Sequence, residues 1–213
     1  MTKGRFISVE GGEGAGKSTH IDHVADHLRG AGQRVLVTRE PGGTPLAEEI
    51  RTLLLARREE TVCVETELLL MFAARMQHVT QVIRPVLARG EWVLCDRFID
   101  ASVAYQGAGR GFGIERVQRL STLLLGDFKP DLTLLLDLPV GLGMRRVEGR
   151  GARDRFEGEQ QAFFERVREG YQVLAAAEPE RFCLIDASGD LQQVRAAMIA
   201  AVDEFAARCG NPR

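Results

Sequence analysis

Lys17, Ser18 and Thr19 come directly after a glycine-rich run in the stretch VEGGEGAGKSTH, Val9 to His20. Gly11, Gly16, Lys17 and Ser18 fit the spacing G-x-x-x-x-G-K-[ST]. The context that spacing requires is present too, with an apolar strand candidate, FISVE, before it and a helical pattern after it. Glycine reaches backbone angles that other residues avoid, so the N–H groups of Gly11, Gly12, Glu13, Gly14, Ala15 and Gly16 can turn inward as an anion nest. The following helix adds its N-terminal dipole. In such a loop Lys17 reaches the outer phosphates of a nucleotide, Ser18 holds Mg2+, and Thr19 caps the helix or touches the inner phosphate. The loop does not say which reaction follows.

Two further stretches carry charge where a buried strand should end. After RVLVT comes REPGGTP, with Arg39, Glu40 and Pro41 entering a tight turn. After WVLCD, Asp96 is placed to bind Mg2+ directly or through water, and Arg97 to fork onto a phosphate. A tight turn alone would explain the first stretch, and a surface salt bridge the second. Beside a phosphate loop, both read as parts of one site.

The elements that must position these residues are legible as two alternating patterns. FISVE, RVLVT, EWVLCD, LTLLLDLP and FCLID are short, nearly unbroken apolar runs, the mark of parallel strands buried on both faces. Between them, Ser18 to Arg29, Pro45 to Leu55, Glu65 to Ala88, Ile114 to Leu125, Glu159 to Ala177 and Asp190 to Ala207 have helical spacing. This predicts an α/β fold, a three-layer, doubly wound, parallel five-stranded sheet, with ligands at the carboxyl ends of the strands. Pro85 should kink or divide the third helix. His20, His23, His27 and His78 all fall on helices, the first three on a face that reads as solvated. Gly149 to Gly158 reads as the most mobile loop.

The composition, with 213 residues, 27% charged and 45% hydrophobic, suits one domain spanning 1–213. A net charge of -2 gives no field that argues for nucleic acid or a membrane. Cys63, Cys95, Cys183 and Cys209 form no C-x-x-C pair, which fits scattered thiols in a reducing, cytoplasmic compartment. Neither a signal peptide nor a membrane-spanning run is expected.

EGGEGAGKST, TREPGGTPLAEEIR, LLLMFAARMQH, CDRFIDASVAYQGAGRG, GDFKPDLTLLLDLP and RGARDRFE, in that order, resemble the bacterial thymidylate kinases of the P-loop nucleoside monophosphate kinase group. The resemblance covers about Phe6 to Asp186, and REPGGT together with DRF...AYQG is its specific part. It implies transfer of the γ-phosphoryl group of ATP, with Mg2+, to dTMP, giving dTDP and ADP in dTTP supply, by a homodimer. An acceptor that is already a phosphate, with a second pKa of about 6, needs no general base. The task is to neutralise crowded negative charge.

By the same resemblance, Arg39, Arg51 and Arg97 hold the dTMP phosphate, and Glu13 takes a hydrogen bond from the sugar 3'-hydroxyl. Glu40 and Pro41 belong to the same pocket. Arg75 donates to thymine O4, Ser102 and Gln106 complete the polar edge, and Tyr105 crowds the 2' position. Relatives often place a stacking Phe where this chain has Met71, so either Met71 or the adjacent Phe72 covers the base, and Phe72 is the one chosen. Gly14 and Ala15 cannot stabilise the transferring phosphoryl, which assigns that role to a lid at about 145–158, to Arg150 supported by Arg155, with Lys17 and Arg97 beside them. DASGD, Asp186 to Asp190, would lie beside the adenine. A kinase for another nucleoside monophosphate is disfavoured by REPGGT and AYQG, and a guanine-nucleotide switch by the absence of N-K-x-D.

Overall fold

A computed structural model describes residues 4–148, 155–157 and 159–210. Five strands, β1 (Phe6–Gly11), β2 (Val35–Arg39), β3 (Trp92–Asp96), β4 (Leu132–Asp137) and β5 (Phe182–Asp186), form one sheet in the order β2-β3-β1-β4-β5. Every pairing is parallel. β1 is buried along its whole length and β3 and β4 up to their last residue, which is why their sequences are apolar without alternation.

The pleat sorts those side chains into two cores. Ile7, Val9, Leu94, Leu134 and Leu136 face helices α1 (Lys17–Gly30) and α9 (Leu191–Arg208). Phe6, Val93, Cys95 and Leu135 face the opposite layer. That layer is built from α3 (Val64–His78), α4 (Arg84–Ala88), α5 (Ile99–Ser102), α6 (Ile114–Leu125) and α8 (Gln161–Ala177). α2 (Pro45–Leu55) packs outside α3, and α7 (Val140–Val147) follows β4. The result is the three-layer, doubly wound parallel sheet of a P-loop nucleotide-binding fold.

Pro85 interrupts its helix as expected, and the form of the break is a π-helical stretch, Val79–Ile83, between α3 and α4. The proline supplies no N–H to the turn before it, and the widened turn absorbs the misfit. A second π-helical stretch, Val103–Gly109, continues α5.

The histidine face needs correction. His20 is buried, while His23 and His27 are half-buried, because α9 covers them. Arg195 donates to His23 at 2.9 Å, and His27 lies 2.8 Å from Asp203. Among the described residues no helix is long and apolar enough to cross a membrane.

Candidate active site

β1 ends in the phosphate loop. α1 opens on Gly16, a left-handed N-cap with φ 89° and no side-chain cap hydrogen bond, so the helix N-terminus borders the loop. Lys17 is buried at the base of the loop and donates to the carbonyls of Gly11 and Gly12 at 3.1 and 3.0 Å. Burial, then the neighbouring Arg97, lowers its pKa.

Parallel pairing puts Val9 of β1 opposite Asp96 of β3, which brings Asp96 beside the loop. Ser18 Oγ donates to Asp96 Oδ2 at 3.3 Å, while Asp96 Oδ1 is a buried acceptor with no hydrogen-bond partner. An orphaned carboxylate oxygen next to a loop serine suits a hard divalent cation that keeps most of its water, as Mg2+ does.

Arg97 is the centre of the charged cluster. It has φ 68°, the one positive φ outside glycine among the described residues. Its Nη2 donates to Glu13 Oε1 at 2.7 Å and to the Tyr105 hydroxyl at 2.9 Å, and its Nη1 donates to the Gly11 carbonyl at 2.9 Å. Tyr105 in turn donates to Glu13 Oε1 at 2.8 Å. Burial works to raise the Glu13 pKa, but Arg97, Lys17 and the Tyr105 hydroxyl outweigh it and hold this carboxyl below its usual range. An acid inside a phosphate loop is thereby kept ionised and aimed away from the nest.

Next to this cluster lies a cleft of about 300 Å3, lined by Glu13, Lys17, Ser18, Arg39, Glu40, Pro41, Arg51, Met71, Arg75, Asp96, Arg97, Ser102, Tyr105 and Gln106. It gathers residues from the ends of β1, β2 and β3 and from α2, α3, α5 and the second π-helical stretch. Arg39 meets Glu48 at 2.8 Å at the rim, and Arg51 donates to the Pro41 carbonyl at 2.9 Å. The Glu40–Pro41 peptide is cis.

Arg75 is buried at the cleft wall. It donates to Glu40 at 2.6 Å, to Ser102 Oγ at 3.0 Å and to the Phe98 carbonyl at 3.0 Å. The other Glu40 oxygen lies 3.0 Å from His78 Nδ1, and His78 Nε2 lies 2.8 Å from Thr38. Glu40 therefore orients Arg75, with both oxygens already engaged. The sequence points to Phe72 as the side chain covering the base, and the structure corrects this, because Phe72 is not among the residues lining the cleft. It is buried in the core with its ring 5.1 Å from the Arg75 guanidinium, and Phe98 flanks the same guanidinium at 5.3 Å. Met71 is the side chain that faces the cleft.

The basic segment after α7 is described only in part, and Arg150 and Arg153 lie outside the described residues. Arg155 does not line the cleft. Its guanidinium lies 2.6 Å from buried Glu67 and donates to the Leu54 carbonyl at 2.9 Å. Glu67 also accepts from Gln106 at 2.8 Å, so the base-edge candidate Gln106 and the lid candidate Arg155 meet on one carboxylate. Asp137, at the end of β4, is held bidentately by Arg168 at 2.7 and 2.8 Å. Beside it, Arg146 of α7 reaches the carbonyl of Ala187, in the DASGD segment, at 2.9 Å.

His78, Glu67, Glu10 and Tyr171 belong to this network, and the sequence reading passed over them. His78 alone left a trace, three residues after Arg75 and so on the same helix face. The other three are long-range partners that only the tertiary fold brings together.

A phosphate loop, an orphaned carboxylate oxygen and an arginine-lined cleft on a 2-3-1-4-5 sheet are what a nucleotide phosphotransferase requires. Comparison with known proteins narrows this. The family model described as thymidylate kinase matches residues 9–198. The chain is 56% identical over 206 residues to a thymidylate kinase of Pseudomonas entomophila, covering 97% of this chain and 98% of that protein. It is 54% identical over 204 residues to a thymidylate kinase of Alcanivorax borkumensis, covering 96% and 98%. With a cleft of this composition, a family model matched across most of its length and relatives aligned nearly end to end, the chain belongs to the thymidylate kinase family.

Proposed function

We propose that this protein transfers the γ-phosphoryl group of ATP to dTMP, giving dTDP and ADP. The observation that carries the reading is the juxtaposition of the phosphate loop with the arginine-lined cleft, joined by Arg97 and Glu13. The loop N–H groups and Lys17 hold the ATP phosphates. Arg39, Arg51 and Arg97 hold the phosphate of dTMP. Ser18 and Asp96 hold Mg2+, which when bound offsets phosphate charge. Transfer then relies on positioning and electrostatics, with no general base.

Arg75, oriented by Glu40, donates toward thymine O4, where cytosine would present an amino group instead. Such a buried mismatch discriminates strongly. Ser102 and Gln106 line the same edge, Met71 covers the base, Glu13 takes the sugar 3'-hydroxyl, and Tyr105 fills the 2' side. The chain acts as one domain with a lid at about 145–158, from which Arg150 reaches the transferring phosphoryl while Arg155 seats the lid on Glu67. Leu69 on α3, exposed alongside Leu46 and Leu53 of α2, supplies an apolar face for a homodimer in the cytoplasm.

The test is ADP formation from ATP and Mg2+ with dTMP, dUMP, dCMP, AMP or no acceptor. Strong turnover with dTMP alone is expected. Equal turnover without acceptor would overturn the kinase reading.

A further inference from the structure

We propose that Glu10, a buried carboxyl behind the cleft, is a positioning residue for Arg97, gripping the Phe98 N–H and the Tyr171 hydroxyl and so fixing both the backbone turn and one anchor of the guanidinium. This rests on the reading of Arg97 as a ligand of the acceptor phosphate. Glu10 is 0% exposed and lies outside the lining of the cleft, so direct contact with a substrate there does not explain it. An isolated buried carboxylate is costly, and one that is kept should have partners that repay the burial.

Its partners converge on Arg97. The left-handed backbone at Arg97 costs on the order of 1–2 kcal/mol for a residue with a Cβ, and persists where the surroundings over-determine it. Three hydrogen bonds enclose that turn: Arg97 N to the Val9 carbonyl at 3.0 Å, Cys95 Sγ to the Arg97 carbonyl at 3.0 Å, and Phe98 N to Glu10 Oε1 at 2.6 Å. The Tyr171 hydroxyl donates to Glu10 Oε2 at 2.8 Å while its oxygen accepts from Arg97 Nη1 at 3.3 Å. One carboxyl on β1 thus ties the residue after Arg97 and a side-chain partner of Arg97 to the centre of the sheet.

The charge state of Glu10 decides how well the grip closes. Ionised, both oxygens accept. Protonated, the carboxyl turns one lone pair into an O–H donor and is a weaker acceptor, so the hydrogen bond from the Tyr171 hydroxyl weakens. Burial, then Asp100 of α5, pushes this carboxyl up to about 8, against the pull of Arg97 and the hydrogen bonds from Tyr171 and Phe98. Asp100 is itself paired with Arg181, at 2.6 Å, Lys17 of α1 and Cys95 of β3 also interact with the Glu10 carboxyl, and the Tyr105 ring stands edge-on to Tyr171. A proton on Glu10 therefore loosens Arg97 from behind, without any titration of Arg97 itself.

The test uses the full chain with Glu10→Gln, Tyr171→Phe and the double variant, assayed from pH 7 to 9. There the dTMP phosphate, with its second pKa of about 6, is already a dianion. Tyr171→Phe removes only the hydroxyl, and Glu10→Gln keeps an acceptor for Phe98, so both variants should fold. In the unmodified protein KM for dTMP falls as pH rises through about 8, and the profile is flat in Glu10→Gln. Tyr171→Phe raises KM for dTMP about five- to tenfold at pH 8.5, the size of one hydrogen bond, with KM for ATP unchanged. The double variant is no worse than the poorer single one.

An inflection that persists in Glu10→Gln would overturn the proposal, and so would equal losses for both substrates. Exchange of the Arg97 guanidinium protons, followed by NMR in the ligand-free protein, reads the grip without activity. Exchange as slow in Tyr171→Phe as in the unmodified protein would also overturn it. Faster exchange, combined with an Arg97→Ala variant of unchanged KM for dTMP, would uphold the grip and remove the phosphate role of Arg97 instead.

Discussion

Gly14 of the phosphate loop and Gly143 of α7 meet backbone against backbone. A Cβ on Gly143 would overlap the Glu13 carbonyl oxygen, and one on Gly14 would overlap the Gly143 carbonyl oxygen. The helix that leads toward the proposed lid is therefore pressed directly against the phosphate loop.

Gly143 sits inside a helix, where alanine ordinarily stabilises by about 0.5–1 kcal/mol. Here the sign should reverse, because the clash is with backbone that cannot swing aside. Gly143→Ala is expected to lower Tm and raise KM for ATP, read by calorimetry and initial rates. A more stable protein with unchanged KM would show that the contact yields freely.

Arg75→Ala leaves Glu40 buried against His78 alone and removes the cation stacked between Phe72 and Phe98. Loss of one partner from a buried pair costs about 3–5 kcal/mol, which urea unfolding will measure. Arg75→Lys keeps a charge but loses the fork. It should retain more stability and still lose preference for dTMP over dCMP, seen as a fall in the ratio of their kcat/KM values.

The two lid arginines should separate cleanly. Arg150→Ala is expected to reduce kcat by about 10²–10³, as for loss of a donor to developing charge, with Tm unchanged. Arg155→Ala removes one of the cations that meet Glu67 and should cost about 1–3 kcal/mol, with the smaller effect on kcat. The opposite pattern would place Arg155 at the phosphates and Arg150 in the seat.

Glu10 also sets a pH dependence of stability. Its folded pKa of about 8 lies above the ordinary value of 4.5, so the folded chain binds this proton more tightly than the unfolded chain does. The stabilisation that proton supplies is complete below about 4.5 and is lost as pH rises to about 8. Glu10→Gln should therefore flatten the decline in Tm across that window and be relatively more stable above it. Parallel curves for the two proteins would place the carboxyl's folded pKa near its ordinary value.

The strands were readable because burial on both faces leaves apolar runs with little else in them, and FCLID coincides with Phe182–Asp186. The helices Pro45–Leu55 and Ile114–Leu125 were readable for the opposite reason, since each keeps one wet face. The segment Ile99 to Gly109 was passed over as a helix because nearly every residue in it is buried, which erases the 3.6-residue alternation. The phosphate loop, Asp96, Arg39 and Arg97 were legible from local motifs, whereas Arg51 and Arg75 followed only from the family resemblance. The choice between Met71 and Phe72, and the partners Glu10, Glu67 and Tyr171, depended on which surfaces the distant α8 and the core would cover. No local pattern records that.

The strand order has a consequence for how the chain is made. β1 pairs only with β3 and β4, and β2 pairs only with β3, so neither of the first two strands has a neighbour until Trp92–Asp96 has been synthesised. The strand that delivers Asp96 to the site is thus also the keystone of the nascent sheet. Until it leaves the ribosome, the backbone edges of β1 and β2 stand unpaired, the condition in which growing chains are most prone to associate wrongly.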